Sequence, residues 1–231
     1  MSTSAPDVEL YFDPVCPFCW QTSKWLRQVQ RLKGLDVGYR FISLKFLNEK
    51  IGYEERGETY AEAHRQGTRL LRVAAAVRDA YDHETVGRLY EAMGEAMWES
   101  EVPDIDGFED ILAHHAAGAD IGAILRGLGL DEGFAAAADD QTHDKVLREE
   151  TDEALRRAGD DVGTPILSFS PPDGPAFFGP VISDLPSDED AVELYDAIVK
   201  VATWPGFAEL KRSLRTLPDV ALMHKMRDEA A

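Results

Sequence analysis

The chain has 231 residues, of which 44% are hydrophobic and 9% aromatic, enough apolar material for a sizeable core and too much for a disordered chain. Its 43 Asp and Glu against 24 Lys and Arg give a formal charge of -19, which repels nucleic-acid phosphates and anionic membrane surfaces and argues against either as a partner. No apolar run approaches the roughly 20 residues of a membrane span. The opening Met1 to Asp7 has neither the basic nor the apolar stretch of a secretory leader, so a cytoplasmic location is expected.

Val8 to Phe12 alternate with aromatic and branched side chains and predict a short strand ending at Asp13-Pro14. Beyond Cys19, Trp25, Leu26, Val29 and Leu32 recur at three- and four-residue steps, an amphipathic helix closed near Lys33-Gly34. Val37, Tyr39 and Phe41 alternate within a second strand expected over Asp36 to Ser43, which completes a βαβ unit. From Asn48 onward the pattern turns helical for a long stretch, although Gly52 to Gly67 shows no readable period. Leu70, Val73, Ala74 and Val77 mark one helix, Val86 to Met97 a second, and Ile121 to Leu128 a shorter one. Pro103 and the glycines at 107, 118, 129 and 133 punctuate them. A last helix of this block is expected from Thr142 to Arg157, burying His143, Val146, Leu147 and Ala154.

Strand character returns at Pro165 to Phe169, followed by a turn through Pro171 to Gly174 and a short strand at Ala176 to Phe178, a hairpin. Ser187 with Asp190 three residues on reads as a capping box, and the helix it starts runs to Trp204-Pro205. One more amphipathic helix is expected from Phe207 to Leu214. The order is βαβ, a helical block, then ββα, which is economically solved as one α/β sheet with an inserted all-helical subdomain. On this reading residues 1–48 and 160–231 form a thioredoxin-like domain and residues 49–159 the insert.

Two cysteines occur, Cys16 and Cys19, too close for a bridge of large entropic value, so their use is chemical. Cys16 stands just ahead of a helix N-terminus, whose positive end stabilises a thiolate, the form that attacks disulfides. Cys19, in the first helical turn, is placed to resolve a mixed disulfide formed at Cys16. Pro17 suits the first helical position, where no N–H is required, and Phe18 offers an aromatic wall beside the sulfur. A C-x-x-C pair is also half of a zinc site, but the histidines at 64, 83, 114, 115, 143 and 224 supply no H-x₃₋₅-H partner, and no metal is expected. Trp20, Trp25, Phe177 and Phe178 could line a substrate pocket, with core packing the plainer reading; Met93 and Met97 read as core. The acids 188–190 read as a solvated helix start.

The element order resembles the thioredoxin fold, and this implies a role for Gly163-Thr164-Pro165. At this point of such folds a cis-proline faces the cysteines, and the residue before it offers its backbone to an extended substrate. Thr164-Pro165 is therefore expected to be cis and beside Cys16. More closely, the chain resembles the DsbA-like branch of the superfamily, and within it the actinobacterial mycothiol-dependent nitroreductase family. The resemblance rests on Phe12-Asp13-Pro14-Val15-Cys16-Pro17-Phe18-Cys19-Trp20, Ser43-Leu44 with Leu47-Asn48-Glu49, Asp161-Val162-Gly163-Thr164-Pro165, and Phe177-Phe178-Gly179-Pro180-Val181. It implies a cytoplasmic reductase with Cys16 as nucleophile and Cys19 as partner. Mycothiol or another low-molecular-weight thiol would be the electron donor, disulfides or nitroaromatic compounds the substrates, and no cofactor would be tightly bound. Phe18 departs from that family, which usually has Trp between the cysteines. Competing readings are a disulfide oxidase or isomerase, a glutathione-transferase-like isomerase, and a non-catalytic binding or holdase module with inert thiols.

Overall fold

The computed structural model describes residues 5–49, 52–100, 105, 107–213 and 215–229, so Pro103 lies outside the described residues. The chain begins with β1 (Val8–Phe12), α1 (Pro17–Lys33) and β2 (Val37–Phe41). It continues through α2 (Leu44–Asn48), α3 (Glu58–Ala80), α4 (His83–Trp98), α5 (Phe108–Ala117), α6 (Ile121–Gly127) and α7 (Asp144–Ala158). The hairpin β3 (Ile166–Phe169) and β4 (Ala176–Phe178), then α8 (Asp188–Ala202) and α9 (His224–Glu229), complete it. The sheet order is β2-β1-β3-β4, with β1 parallel to β2 and antiparallel to β3, and β3 antiparallel to β4. This is the mixed sheet of a thioredoxin fold, with helices α2 to α7 between its two halves.

Period-two alternation sorts the strands onto two faces. Val8, Leu10, Phe12, Tyr39, Phe41, Leu167 and Phe169 belong to the large core shared with α1, α4 and α8. There the Phe12 and Tyr90 rings stack with centroids 3.9 Å apart, and the Trp25 indole N–H donates to Ala191 O at 3.2 Å. Trp20, Trp25, Met93 and Met97 are buried in this core, as packing alone suggested, whereas Phe177 and Phe178 are half-buried. Tyr11, Ile42, Ala154 and Ile166 pack on the opposite face, beneath α7.

Edge strand β2 is satisfied by α7. The Glu150 carboxylate accepts from Phe41 N at 2.8 Å and Thr151 Oγ1 accepts from Ser43 N at 3.0 Å, which covers donors an edge would otherwise leave open. Glu150 also pairs with Arg40 at 3.0 Å and Arg78 at 2.9 Å, while Arg157 donates to Ser168 Oγ at 2.6 Å.

Most boundaries follow local chemistry. Gly34 closes α1 in the left-handed region at φ 70°, its N–H donating to Gln30 O at 2.8 Å. Ser187 Oγ accepts from Asp190 N at 3.2 Å, the expected cap of α8. The helix expected over 207–214 is absent: residues 207–213 and 215–218 are without regular structure, and Leu214 lies outside the described residues. Phe207 packs on Phe177, but Leu210 is 90% exposed, so the segment buries no continuous apolar face, and a short helix without one is unstable. Of the side chains expected to be buried on α7, Leu147 and Ala154 are, whereas His143 and Val146 are only half-buried because the helix begins at Asp144, after a 3-10 turn.

His115 of α5 is 3% exposed against the Trp98 ring, and neither of its ring nitrogens has a hydrogen-bond partner among the described residues. Burial, and secondarily His114, lowers its pKa to about 3. Neutral burial of this kind favours the native state fully above the unfolded value of about 6.5, and that contribution is lost as pH falls toward 3. Replacing His115 with Leu should therefore stabilise the fold by about 1–2 kcal/mol at neutral pH, since it removes unsatisfied buried polar atoms. The gain should be larger at pH 5 than at pH 8 in thermal melts; equal gains would refute the assignment.

Candidate active site

Helix α1 starts where β1 runs out. Asp13 and Pro14 end the strand, Cys16 occupies the N-cap, and Pro17 is the first helical residue, where its missing N–H leaves nothing unpaired. The Cys19 N–H donates to Cys16 Sγ at 3.4 Å, so the sulfur takes the place of a capping side-chain oxygen. The Thr164 hydroxyl donates to the same sulfur at 3.1 Å from the opposite side, across 148 residues of chain. The Thr164-Pro165 bond is cis, as expected, with Pro165 buried at the head of β3 and Thr164 half-buried. Pro17 and Phe18 are half-buried, and Phe18 packs on the core edge. Thus Cys16, Cys19 and Thr164 are in direct contact, with Pro17, Phe18 and Pro165 adjacent to them in the chain.

The two thiols are unbridged and electrostatically unequal. The hydrogen bond from the Cys19 side chain holds the Cys16 thiol below its ordinary pKa, and the Thr164 hydroxyl and Cys19 N–H add to this; burial and the Asp13 charge oppose it. Cys19, fully buried, is driven well above the thiol range, first by desolvation and then by its hydrogen bond to Cys16 and the charge there. Both cysteines are buried, Cys16 at 6% exposed and Cys19 at 0%. The division between a lowered and a raised thiol suits one attacking and one resolving thiol.

The support around Cys16 includes residues that spacing alone does not reveal. Asp13 is fully buried; its carboxylate accepts from Val15 N at 3.0 Å and from Leu44 N at 2.8 Å, clamping the cysteine loop to the start of α2. Desolvation, partly offset by those two bonds, raises its pKa to about 7. Gly67 of α3 permits the approach, because a Cβ there would meet Asp13 Oδ1 at 2.6 Å and Val15 Cγ2 at 2.7 Å. The Trp98 indole N–H donates to Pro14 O at 2.9 Å, holding the loop from the end of α4. Glu99, the next residue, accepts from Trp20 Nε1 at 2.8 Å, Lys24 Nζ at 2.6 Å and Ala221 N at 3.2 Å, joining α1 to the C-terminal segment. Only Asp13 carried a local signal, an acidic residue closing an apolar strand; Trp98 and Glu99 lie 75 to 122 residues from their partners in sequence and carried none.

Among the described residues no group of three or more His, Cys, Asp or Glu side chains is placed to hold a metal ion, and no helix is long and apolar enough to cross a membrane.

Sheet order and paired thiols together define a thioredoxin-like fold that carries a C-x-x-C pair at the start of its first helix. A crystal structure from Nitrosomonas europaea described as a "putative protein disulfide isomerase" has the same fold, with a TM-score of 0.54 at 14% identity, covering 85% of this chain and 98% of that one. The cytosolic disulfide reductase DsbM from Pseudomonas aeruginosa matches at a TM-score of 0.46 and 18% identity, over 84% and 99% of the two chains. The model of the Rv2466c-like family, described as mycothiol-dependent nitroreductase Rv2466c, matches residues 15–212. The uncharacterized protein Rv2286c of Mycobacterium tuberculosis is 31% identical over 210 residues, 89% of this chain and 81% of that protein. The chain belongs to the Rv2466c-like family.

Proposed function

We propose that this protein is a cytoplasmic, mycothiol-dependent reductase in which Cys16 is the nucleophile and Cys19 the resolving thiol. Its substrates on this reading are disulfides and nitroaromatic compounds, with neither nucleic acid nor membrane as partner. The single observation that carries the proposal is the asymmetry of the pair, a capped and hydrogen-bonded Cys16 sulfur against a buried Cys19 whose proton is retained. The Cys16 thiolate attacks one sulfur of the substrate disulfide, that bond breaks, and the first thiolate leaves. Cys19 then loses its proton, attacks Cys16 Sγ and expels the second thiolate. The result is a Cys16–Cys19 disulfide, with two electrons delivered to the substrate. Two molecules of mycothiol return those electrons and are themselves oxidised to the disulfide. Thr164-Pro165 lies where an extended substrate segment would meet the sulfur. We also propose the domain division into 1–48 with 160–231 and the helical subdomain 49–159, whose final helix α7 the sheet itself holds.

The test is intact mass of the Cys19→Ser variant after incubation with oxidised mycothiol and, separately, oxidised glutathione. A mycothiol adduct on Cys16 that glutathione does not form is expected; no adduct with either would sink the small-thiol reading. One observation favours an oxidase instead: a stabilised Cys16 thiolate favours the dithiol and so makes the disulfide more oxidising. The reduction potential separates the two, near the roughly −200 to −230 mV of glutaredoxins for a reductase and near about −120 mV for an oxidase.

A further inference from the structure

The surface beside the cis-proline loop carries charge that the thiol chemistry does not use. After α8, residues on either side of position 214 touch β4: the Phe207 and Phe177 ring centroids are 5.8 Å apart and the Arg215 guanidinium carbon lies 5.7 Å from the Phe178 centroid. Phe178 borders the cis-proline loop, its Cε2 being 3.5 Å from where a Cβ on Gly163 would stand. The next residue is Thr164, whose hydroxyl is 3.1 Å from Cys16 Sγ. Contacts therefore lead from Arg215 through Phe178 and Gly163 to the reactive sulfur. The Thr22 hydroxyl, one turn past Cys19, donates to Pro180 O at 2.7 Å and fixes this strand end against α1.

Arg215 is exposed, and no carboxylate among the described residues pairs with it; the same is true of Lys211 and Arg212 nearby. In a chain with 43 acidic residues against 24 basic ones, cations elsewhere are commonly neutralised: Arg72 by Asp144, Arg78 by Glu150, Arg148 by Glu49. A guanidinium lying over an aromatic ring keeps its N–H edges free, and those edges match the two oxygens of a carboxylate.

We propose that Arg215 selects carboxylate-bearing substrates for attack by Cys16. Lys211 and Arg212 supply supporting charge in a protein whose overall field repels anions. The proposal rests on Cys16 being the nucleophile and concerns the substrate that is reduced, not the thiol that returns the electrons.

Stopped-flow rates of the reduced protein with two aryl disulfides test it: 5,5′-dithiobis(2-nitrobenzoate), with a carboxylate on each ring, and 4,4′-dithiodipyridine, uncharged at pH 7. Arg215→Gln is expected to lower the ratio of the first rate to the second by about tenfold, the scale of one charge-assisted contact, and Arg215→Lys by less. A ratio within about twofold of the unaltered protein in Arg215→Gln would overturn the proposal, as would an equal fall in Arg212→Gln, which would move the contact to that residue. Failure of the nucleophile assignment shows separately, as an undiminished rate with 4,4′-dithiodipyridine in Cys16→Ser.

Discussion

Cys16→Ser is expected to abolish disulfide reduction, with loss of at least about a thousandfold in kcat/KM, because a serine hydroxyl at neutral pH supplies no comparable nucleophile. Cys19→Ser should behave differently: the first exchange survives, the mixed disulfide at Cys16 accumulates, and turnover stops after one event. The contrast follows from where the two sulfurs sit. Cys16 caps α1 and receives bonds from Cys19 N and Thr164 Oγ1, whereas Cys19 is enclosed and retains its proton. Thiol titration should show one group titrating below an ordinary free thiol in the unaltered protein and none doing so in Cys16→Ser. If Cys16→Ser kept full activity with Cys19→Ser inactive, the roles would be reversed.

Asp13 should produce the second-largest effect, and it should be visible in stability as a function of pH. Its folded pKa of about 7 lies above the unfolded value near 3.8, with burial as the main cause. A raised acid of this kind stabilises the fold fully below the unfolded value, and the contribution is lost as pH rises from about 4 through 7. A shift of this size corresponds to something on the order of 4 kcal/mol across that window. Asp13→Asn, which cannot ionise, should flatten the decline in melting temperature between pH 5 and pH 8.5. It should also lower the Cys16 pKa above pH 7, since the Asp13 charge works against the thiolate. Asp13→Ala is the harsher change, leaving Val15 N and Leu44 N unpaired in the interior at a cost of about 1–3 kcal/mol each. An unchanged pH slope in Asp13→Asn would show that Asp13 stays ionised throughout.

The parts of the fold legible in the sequence are those where local period and burial agree. β1, α1 and the β3–β4 hairpin show clean alternation or helical spacing bounded by Pro, Gly or a cap, and each forms close to its expected limits. The stretch from Gly52 to Gly67 is illegible for a physical reason: α3 starts at Glu58 after Gly57 with no side-chain cap, and its Gly67 is fixed by close packing on Asp13, not by a periodic stripe. Helix α5 went unread because it buries only Ile111, Leu112 and His115, a pattern too sparse to register. The stretch 207–214 failed in the opposite sense, showing a helical period for which the fold has no receiving surface. The cysteine pair was evident from spacing and context, and the cis Thr164-Pro165 bond from resemblance. Of the loop's supports, Asp13 stands at the end of the predicted strand, whereas Gly67, Trp98 and Glu99 emerge only when distant elements are brought together.

The central place of β1 in the sheet has a bearing on biosynthesis. Its ladder partners are β2, some thirty residues downstream, and β3, nearly 160 residues downstream, with Val8 opposite Val37 on one side and Phe169 on the other. A ribosome making about 5–20 residues per second exposes β1 and the cysteine pair for many seconds before β3 has been made. During that interval Thr164 has not yet been synthesised, so Cys16 lacks its hydroxyl donor, and neither thiol has the enclosure that later makes them unequal. The nascent chain therefore carries a dithiol whose redox character is unlike that of the finished protein. The mature character arises late in translation, when the second half of the sheet closes over the first.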